Sequence, residues 1–226
     1  MHRIIIYSAH LLTISYYIGE FQLIISNGPA FLCALCVSVY WLAVFVKAVV
    51  ITPKIGKAPN IIPKDLVGLL SRLVMLPLVI FWIILPWYAS LYNNMPVISQ
   101  LAWLGALCGV VALILTLFCW YHMGTAWRIG IDPKEKNKLI TDGPFKHIRH
   151  PIYALSMLLM LGCFLSVQTK AMFIVFCTHW IMFTLETYRE EHYLSKLYGT
   201  TYETYVKQTN RFLPPLCRKN CRANNV

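Results

Sequence analysis

Charge is scarce in this sequence. Only 13% of its 226 residues are Asp, Glu, Lys or Arg, against about 25% in an ordinary soluble domain. With 58% hydrophobic residues and a mean hydropathy of +0.59, that shortage excludes a soluble globular protein. Acidic residues are the rarest of the charged ones: nine, against 20 Lys and Arg, for a net charge of +11. In a soluble chain such an excess would suggest a nucleic-acid partner. Here it reads as basic loops held on the cytoplasmic side of a bilayer. Internal repeats and low-complexity tracts are absent. The first apolar stretch lacks the short core and small-residue cleavage site of a signal peptide. Cys33-x-x-Cys36 has redox or metal-like spacing, but no second Cys or His cluster accompanies it, so no metal site is expected. Six of the eight cysteines lie in apolar runs, where Cys acts as a small hydrophobe. Cys217 and Cys221 fall in a basic tail that reads as solvated, with palmitoylation the alternative.

What is present is a series of long apolar runs. Ile4–Ser26 is expected to be a first membrane helix, ended by a break at Asn27-Gly28-Pro29. Phe31–Ile51, Leu66–Tyr88 and Val97–Tyr121 are each close to the ~20 residues a bilayer requires. Arg72, near the start of the third run, is expected to snorkel to the interface, and Pro77 and Pro86 to kink that helix. Two shorter runs, Ile152–Ser166 and Ala171 to about Glu186, are joined by a tight turn and predict an antiparallel hairpin through most of the bilayer. The second continues as a polar helix to about Gly199, and a short helix over Tyr202–Val206 ends before Pro214-Pro215. The expected architecture is therefore an all-α, multi-pass membrane protein of about six segments. Residues 1–121 form the N-terminal helices. Residues 122–226 form a loop, hairpin and C-terminal helix integrated with them. With the N-terminus inside, the outside turns near Asn27 and Asn93 carry no Lys or Arg and the hairpin turn carries only Lys170. The inside segments hold the other 19 of 20, which places the C-terminus in the cytoplasm.

The chemistry concentrates in the polar loop that runs into the hairpin. Gly143-Pro144 reads as a turn. Pro151 suits the first position of a helix, where a missing N–H costs nothing. Free N–H groups and the positive end of a helix dipole then lie beside Arg149 and His150, an anion-friendly place at the edge of an apolar body.

In order, Gly143-Pro144-Phe145-x-x-x-Arg149-His150-Pro151-x-Tyr153, Arg189-Glu190-Glu191, and Tyr198-Gly199-x-x-Tyr202-x-x-Tyr205 before a proline ending resemble the integral-membrane methyltransferases. These comprise the isoprenylcysteine carboxyl methyltransferases and the related phospholipid N-methyltransferases. The resemblance runs from about Trp127 to Pro214. It implies an S-adenosylmethionine pocket facing the cytoplasm, with a lipidic or prenylated acceptor and the bilayer as partners. The positions that correspond to cofactor-contacting residues are Asn137, Lys138, Leu139, Ile140, Phe145, Arg149, His150, Pro151, Ile152, Tyr153 and Glu190. Phe145 stands where a Tyr is usual. Glu186 stands where eukaryotic members have a substrate-contacting Arg, and with Arg189 it is assigned to the acceptor. No catalytic residue is assigned: a carboxylate nucleophile needs no base, whereas an amine must lose a proton, with which Glu186 could help.

The residues agree with such a pocket. Arg149 and His150 suit the cofactor's carboxylate, Glu190 its ammonium or ribose hydroxyls, and Tyr153, Phe145 and Trp127 its adenine or sulfonium. Glu186 and Glu190 lie one turn apart on one face, with Glu191 about 100° away, so Glu191 is expected to be the less sensitive of the pair. Blander roles compete: Arg149 on a lipid phosphate, His150 as a helix cap, His179 as a packed interior histidine, and Tyr198, Tyr202 and Tyr205 docking the last helix on the membrane surface. Two other functional classes fit less well. The sterol reductases share Arg-His-Pro-x-Tyr but bind NADPH and lack the Gly-Pro-Phe lead-in and the Glu-Glu pair. A non-enzymatic scaffold has no need of Arg149, His150 and Glu190 around one cleft.

Overall fold

The computed structural model describes residues 2–56, 66–92, 97–129 and 139–215, with side chains from residue 27 onward. Among these residues the structure is helical, in the order α1 (His2–Ile55), α2 (Leu66–Tyr92), α3 (Ser99–Met123), α4 (Pro151–Val167), α5 (Lys170–Tyr198) and α6 (Thr200–Gln208). Short 3-10 turns follow α3, at Gly124–Ala126, and precede α4, at Gly143–Lys146. Four helices have the length and apolarity to cross a membrane: Asn27–Ile55, Leu66–Tyr92, Ser99–Ala126 and Lys170–Tyr198. α4 is a shorter apolar helix. Outward-facing Leu69, Leu73, Leu76, Phe81 and Ile84 of α2 are exposed, as suits side chains whose neighbours are acyl chains.

One expectation is corrected. α1 runs unbroken through Asn27-Gly28-Pro29, so no turn separates a first and a second segment there. Prolines interrupt a helix in water, but in membrane helices neighbouring groups re-satisfy the freed carbonyl. Pro29 is fully buried, and Gly28 lies against the Trp103 ring. Pro77 and Pro86 likewise sit inside a continuous α2. The second hairpin arm continues beyond its apolar part as expected, with the polar residues through Tyr198 extending the same helix to 29 residues.

α3 and α4 form the tightest pair. On α3, Ala102, Gly105, Ala106, Gly109 and Ala112 are buried on one stripe. The spacing Gly105-x-x-x-Gly109 lets backbones approach. A Cβ on Gly105 would lie 2.5 Å from the Gly162 carbonyl oxygen, and a Cβ on Gly162 would lie 2.5 Å from that of Gly105. Ser166 Oγ donates to the Ala102 carbonyl at 3.0 Å and contacts Cys33 Sγ at 3.2 Å, joining α1 to the pair. Gly162→Leu has to push α3 away, and overpacking of this kind costs about 1–3 kcal/mol or more. The expected outcome is a lower unfolding midpoint in detergent, checked by thermal denaturation; an unchanged midpoint would show that the contact yields freely.

Polar groups tie the ends. Lys47 Nζ donates to the Trp120 carbonyl at 2.8 Å, using the α3 C-terminus as its counter-dipole. At the other end, Gln168 adopts the left-handed conformation (φ 50°). Its side chain donates to the carbonyls of Ile98 and Leu165 and accepts from the Ile98 N–H. Thr169 caps α5 by accepting from the Met172 N–H at 3.2 Å. The hairpin turn is thereby fastened to the start of α3.

Candidate active site

Gly143 takes φ +54°, and a Cβ there would strike the His122 ring at 2.5 Å. Glycine is therefore required at the turn that brings Phe145 inward. Phe145 is buried, and its carbonyl accepts from the Tyr205 hydroxyl at 2.6 Å. Tyr202 and Tyr205 are both buried in the protein body, not laid on a membrane surface as the sequence suggested. Burial pushes the Tyr205 phenol up to about 12 and raises that of Tyr202 as well. The chain beyond α6 then runs alongside the residues that precede α4. The Arg149 N–H donates to the Asn210 carbonyl at 2.9 Å, and the His150 N–H to the Arg211 carbonyl at 3.0 Å, around an isolated parallel bridge between Ile148 and Asn210.

Within this frame the charged side chains assemble around Glu191. Its Oε1 accepts from Arg149 Nε at 2.9 Å and from Arg211 Nε at 3.1 Å, while Oε2 accepts from Arg211 Nη2 at 2.5 Å. His150 Nε2 lies 3.3 Å from Oε1, close in charge but without hydrogen-bond alignment. Arg149 Nη1 also donates to the carbonyls of Thr209 and Val206. The Arg211 guanidinium covers the Tyr188 ring at 3.9 Å, and Glu191 raises its pKa further. Arg149 is thus committed to protein partners, and the residue expected to matter less, Glu191, is the centre of the cluster. Helix geometry explains the correction: turned about 100° from Glu190, Glu191 faces the chain segment after α6, whose place the α5 sequence does not reveal.

Glu190 faces the other way. Its side chain keeps 31% exposure and lies 3.7 Å from His150 Nδ1, beside Tyr153. His150 is buried and stacked on Tyr153, with ring centroids 5.6 Å apart. Pro151 is buried at the first position of α4. Glu186 accepts from Arg189 Nη1 at 2.7 Å. His150, Pro151, Ile152, Tyr153, Glu186, Arg189 and Glu190 are therefore brought together at one end of α4 and α5. Leu139 and Ile140 are half-buried. Asn137 and Lys138 lie outside the described residues.

A cavity of about 530 Å³ opens beside this cluster. Ile152, Tyr153 and Glu186 form part of its wall. The rest comes mainly from elements the motifs do not include: Tyr40 and Trp41 of α1, Arg72 and Trp82 of α2, Trp120, Trp127, and His179 and Phe183 of α5. The aromatic rings pack against one another, with Tyr40 5.6 Å from Trp82 and 5.4 Å from Trp120, and Tyr153 5.2 Å from Phe183. His179, a packed interior histidine, contacts Ser156 Oγ through Nε2 at 3.2 Å and stacks on Phe183 at 4.1 Å. Arg72 Nη2 donates to the Ile129 carbonyl at 2.7 Å, and the side chain borders the cavity. The signal that could have found it is a cation seven residues into an apolar helix, since an ionisable residue at membrane depth is a functional candidate by default.

The structure thus sets a polar cluster at the mouth of the α4–α5 hairpin beside an aromatic cavity between apolar helices. Residues 101–201 match the family model described as phospholipid methyltransferase. No curated protein matches the chain.

Proposed function

We propose that this protein transfers a methyl group from S-adenosylmethionine to a lipidic or amphipathic acceptor, in the manner of the isoprenylcysteine carboxyl methyltransferases. The observation that carries the reading is that Ile152 and Tyr153 belong at once to the polar cluster and to the cavity wall. A water-soluble donor bound at the cluster and an apolar acceptor in the cavity would meet there. Methyl transfer is an in-line displacement, so holding the two in register supplies most of the barrier reduction.

The residues present fit the cofactor. Glu190 offers a half-open carboxylate for the ammonium or ribose hydroxyls, and Tyr153 a ring face for the sulfonium. Among the described residues the buried Tyr202 hydroxyl has no hydrogen-bond partner. The cofactor supplies an activated methyl; the chain orients it and keeps the cavity dry. Because Arg149 is engaged by Glu191, the cofactor's carboxylate is left to the first N–H groups of α4, and Arg149 and His150 act by holding that helix end in place. The excess of Lys and Arg on the loop side supports a cytoplasmic cofactor site.

A second acceptor class, the amine of a phospholipid, is favoured by the description of the matched family and by Glu186, an acid at the cavity wall able to receive a proton. Titration of the purified protein with S-adenosylhomocysteine and with NADPH tests the activity class. S-adenosylhomocysteine is expected to bind and NADPH not to. Binding of NADPH alone would move the protein to the reductases, and binding of neither would leave a scaffold.

A further inference from the structure

We infer that Arg72 anchors the anionic group, carboxylate or phosphate ester, of a single-chain amphiphile whose tail occupies the aromatic cavity. The inference names the headgroup of the acceptor and so rests on the proposed activity. Arg72 lies on a helix whose neighbours are apolar, and burial of a charge is costly unless the charge is paired. Its pairing is incomplete. Nη2 has the Ile129 carbonyl, but the buried Nε has no hydrogen-bond partner among the described residues. Glu186, the one acid in the cavity wall among the described residues, is engaged by Arg189, whose Nη1 it accepts from at 2.7 Å. A guanidinium with a buried, unused N–H at a cavity wall is built to receive an oxyanion, for which its planar fork is suited.

The remainder of the cavity specifies the tail. Away from Arg72 the wall is apolar and aromatic, with Tyr40, Trp41, Val79 and Trp82 among its residues. Its volume of about 530 Å³ falls within the roughly 300–1,000 Å³ of sites that enclose drug-sized molecules. That is room for one chain inside the cavity. Leu73 and Leu76 border the cavity and are also more than half exposed on the outer face of α2, so the chamber meets the surrounding acyl phase where a tail would enter.

Four of the seven tryptophans, Trp41, Trp82, Trp120 and Trp127, line the cavity, so a brominated ligand inside it quenches the protein's own fluorescence. The experiment compares, on the unmodified protein, a brominated long-chain fatty acid, the alkyl phosphate and the alcohol of equal length, and a brominated diacyl phosphatidic acid. The acid, the alkyl phosphate or both are expected to bind at least tenfold more tightly than the alcohol, and the two anions together show which oxyanion is preferred. Arg72→Gln should abolish that preference while leaving S-adenosylhomocysteine affinity within about threefold, and Arg72→Lys should keep part of it. Equal binding of acid and alcohol by the unmodified protein overturns the inference whether or not the variants fold. Weaker S-adenosylhomocysteine binding by Arg72→Gln, with the preference for the acid intact, would make Arg72 a cofactor residue instead. Diacyl phosphatidic acid binding as tightly as the single-chain anions would overturn the single-chain assignment. Preference for the acid in a protein that binds no S-adenosylhomocysteine would reject the methyltransferase reading and leave the amphiphile site standing.

Discussion

Glu191→Gln should be the most damaging single substitution on α5, lowering stability by about 3 kcal/mol or more. The carboxylate is the shared anion of Arg149 and Arg211, with side-chain exposures of only 10% for Arg149 and 15% for Glu191. Removing one member of a buried ionic group costs about 3–5 kcal/mol, because the other charges stay buried without compensation. Glutamine can still accept a hydrogen bond, which places the expected loss at the lower end. Because the same carboxylate holds the segment after α6 against the one before α4, S-adenosylhomocysteine binding should fall with stability. Denaturant unfolding in micelles checks the first effect and ligand titration the second. Arg211→Gln added to Glu191→Gln should cost less than the sum of the two, since partners in one network are not additive. A Glu191→Gln protein that unfolds at the unmodified midpoint would show that the cluster contributes no net stability.

Glu190→Gln should separate binding from folding. This carboxylate lies beside His150 and Tyr153, keeps 31% exposure, and is isosteric with glutamine. Its removal should leave insertion and the unfolding midpoint essentially unchanged. If it accepts from the cofactor's ammonium or ribose, the lost charge-assisted contact is worth about 1.5–3 kcal/mol, or roughly 10- to 150-fold in affinity at 1.36 kcal/mol per decade. S-adenosylhomocysteine binding is the measurement. Equal affinity for the Glu190→Gln and unmodified proteins would remove Glu190 from the site.

The two glutamates show where legibility in the sequence ends. Their 100° separation follows from helix geometry alone, but which direction faces a partner depends on Asn210 and Arg211, about twenty residues further on, folding back beside Arg149. No local pattern in α5 announces that. The apolar helices were legible because bilayer thickness imposes a length on them, and α2 to α5 fall close to their expected positions. Pro29 was misleading because its meaning depends on what surrounds it: in water it would end a helix, whereas here it lies buried inside one. The end of α4 was legible through His150-Pro151-x-Tyr153, a local motif. The other wall of the cavity was not, since Tyr40, Arg72 and Trp82 are dispersed along two helices with no spacing to mark them. Gly105 and Gly109 carried a readable signal for close helix approach, and Gly162 became meaningful only once its partner was known.

The bridge between residues 148–150 and 209–211 also orders events during synthesis. The ribosome makes α4 and α5 first, and both can enter the bilayer while Asn210 and Arg211 are still untranslated. Until those residues emerge, Arg149 and Glu191 have each other but neither Arg211 nor the backbone carbonyls that fix the approach to α4. The nascent chain can therefore be fully inserted yet unfinished at its site, and a premature stop after α5 but before codon 211 would leave the helices in place with that site open.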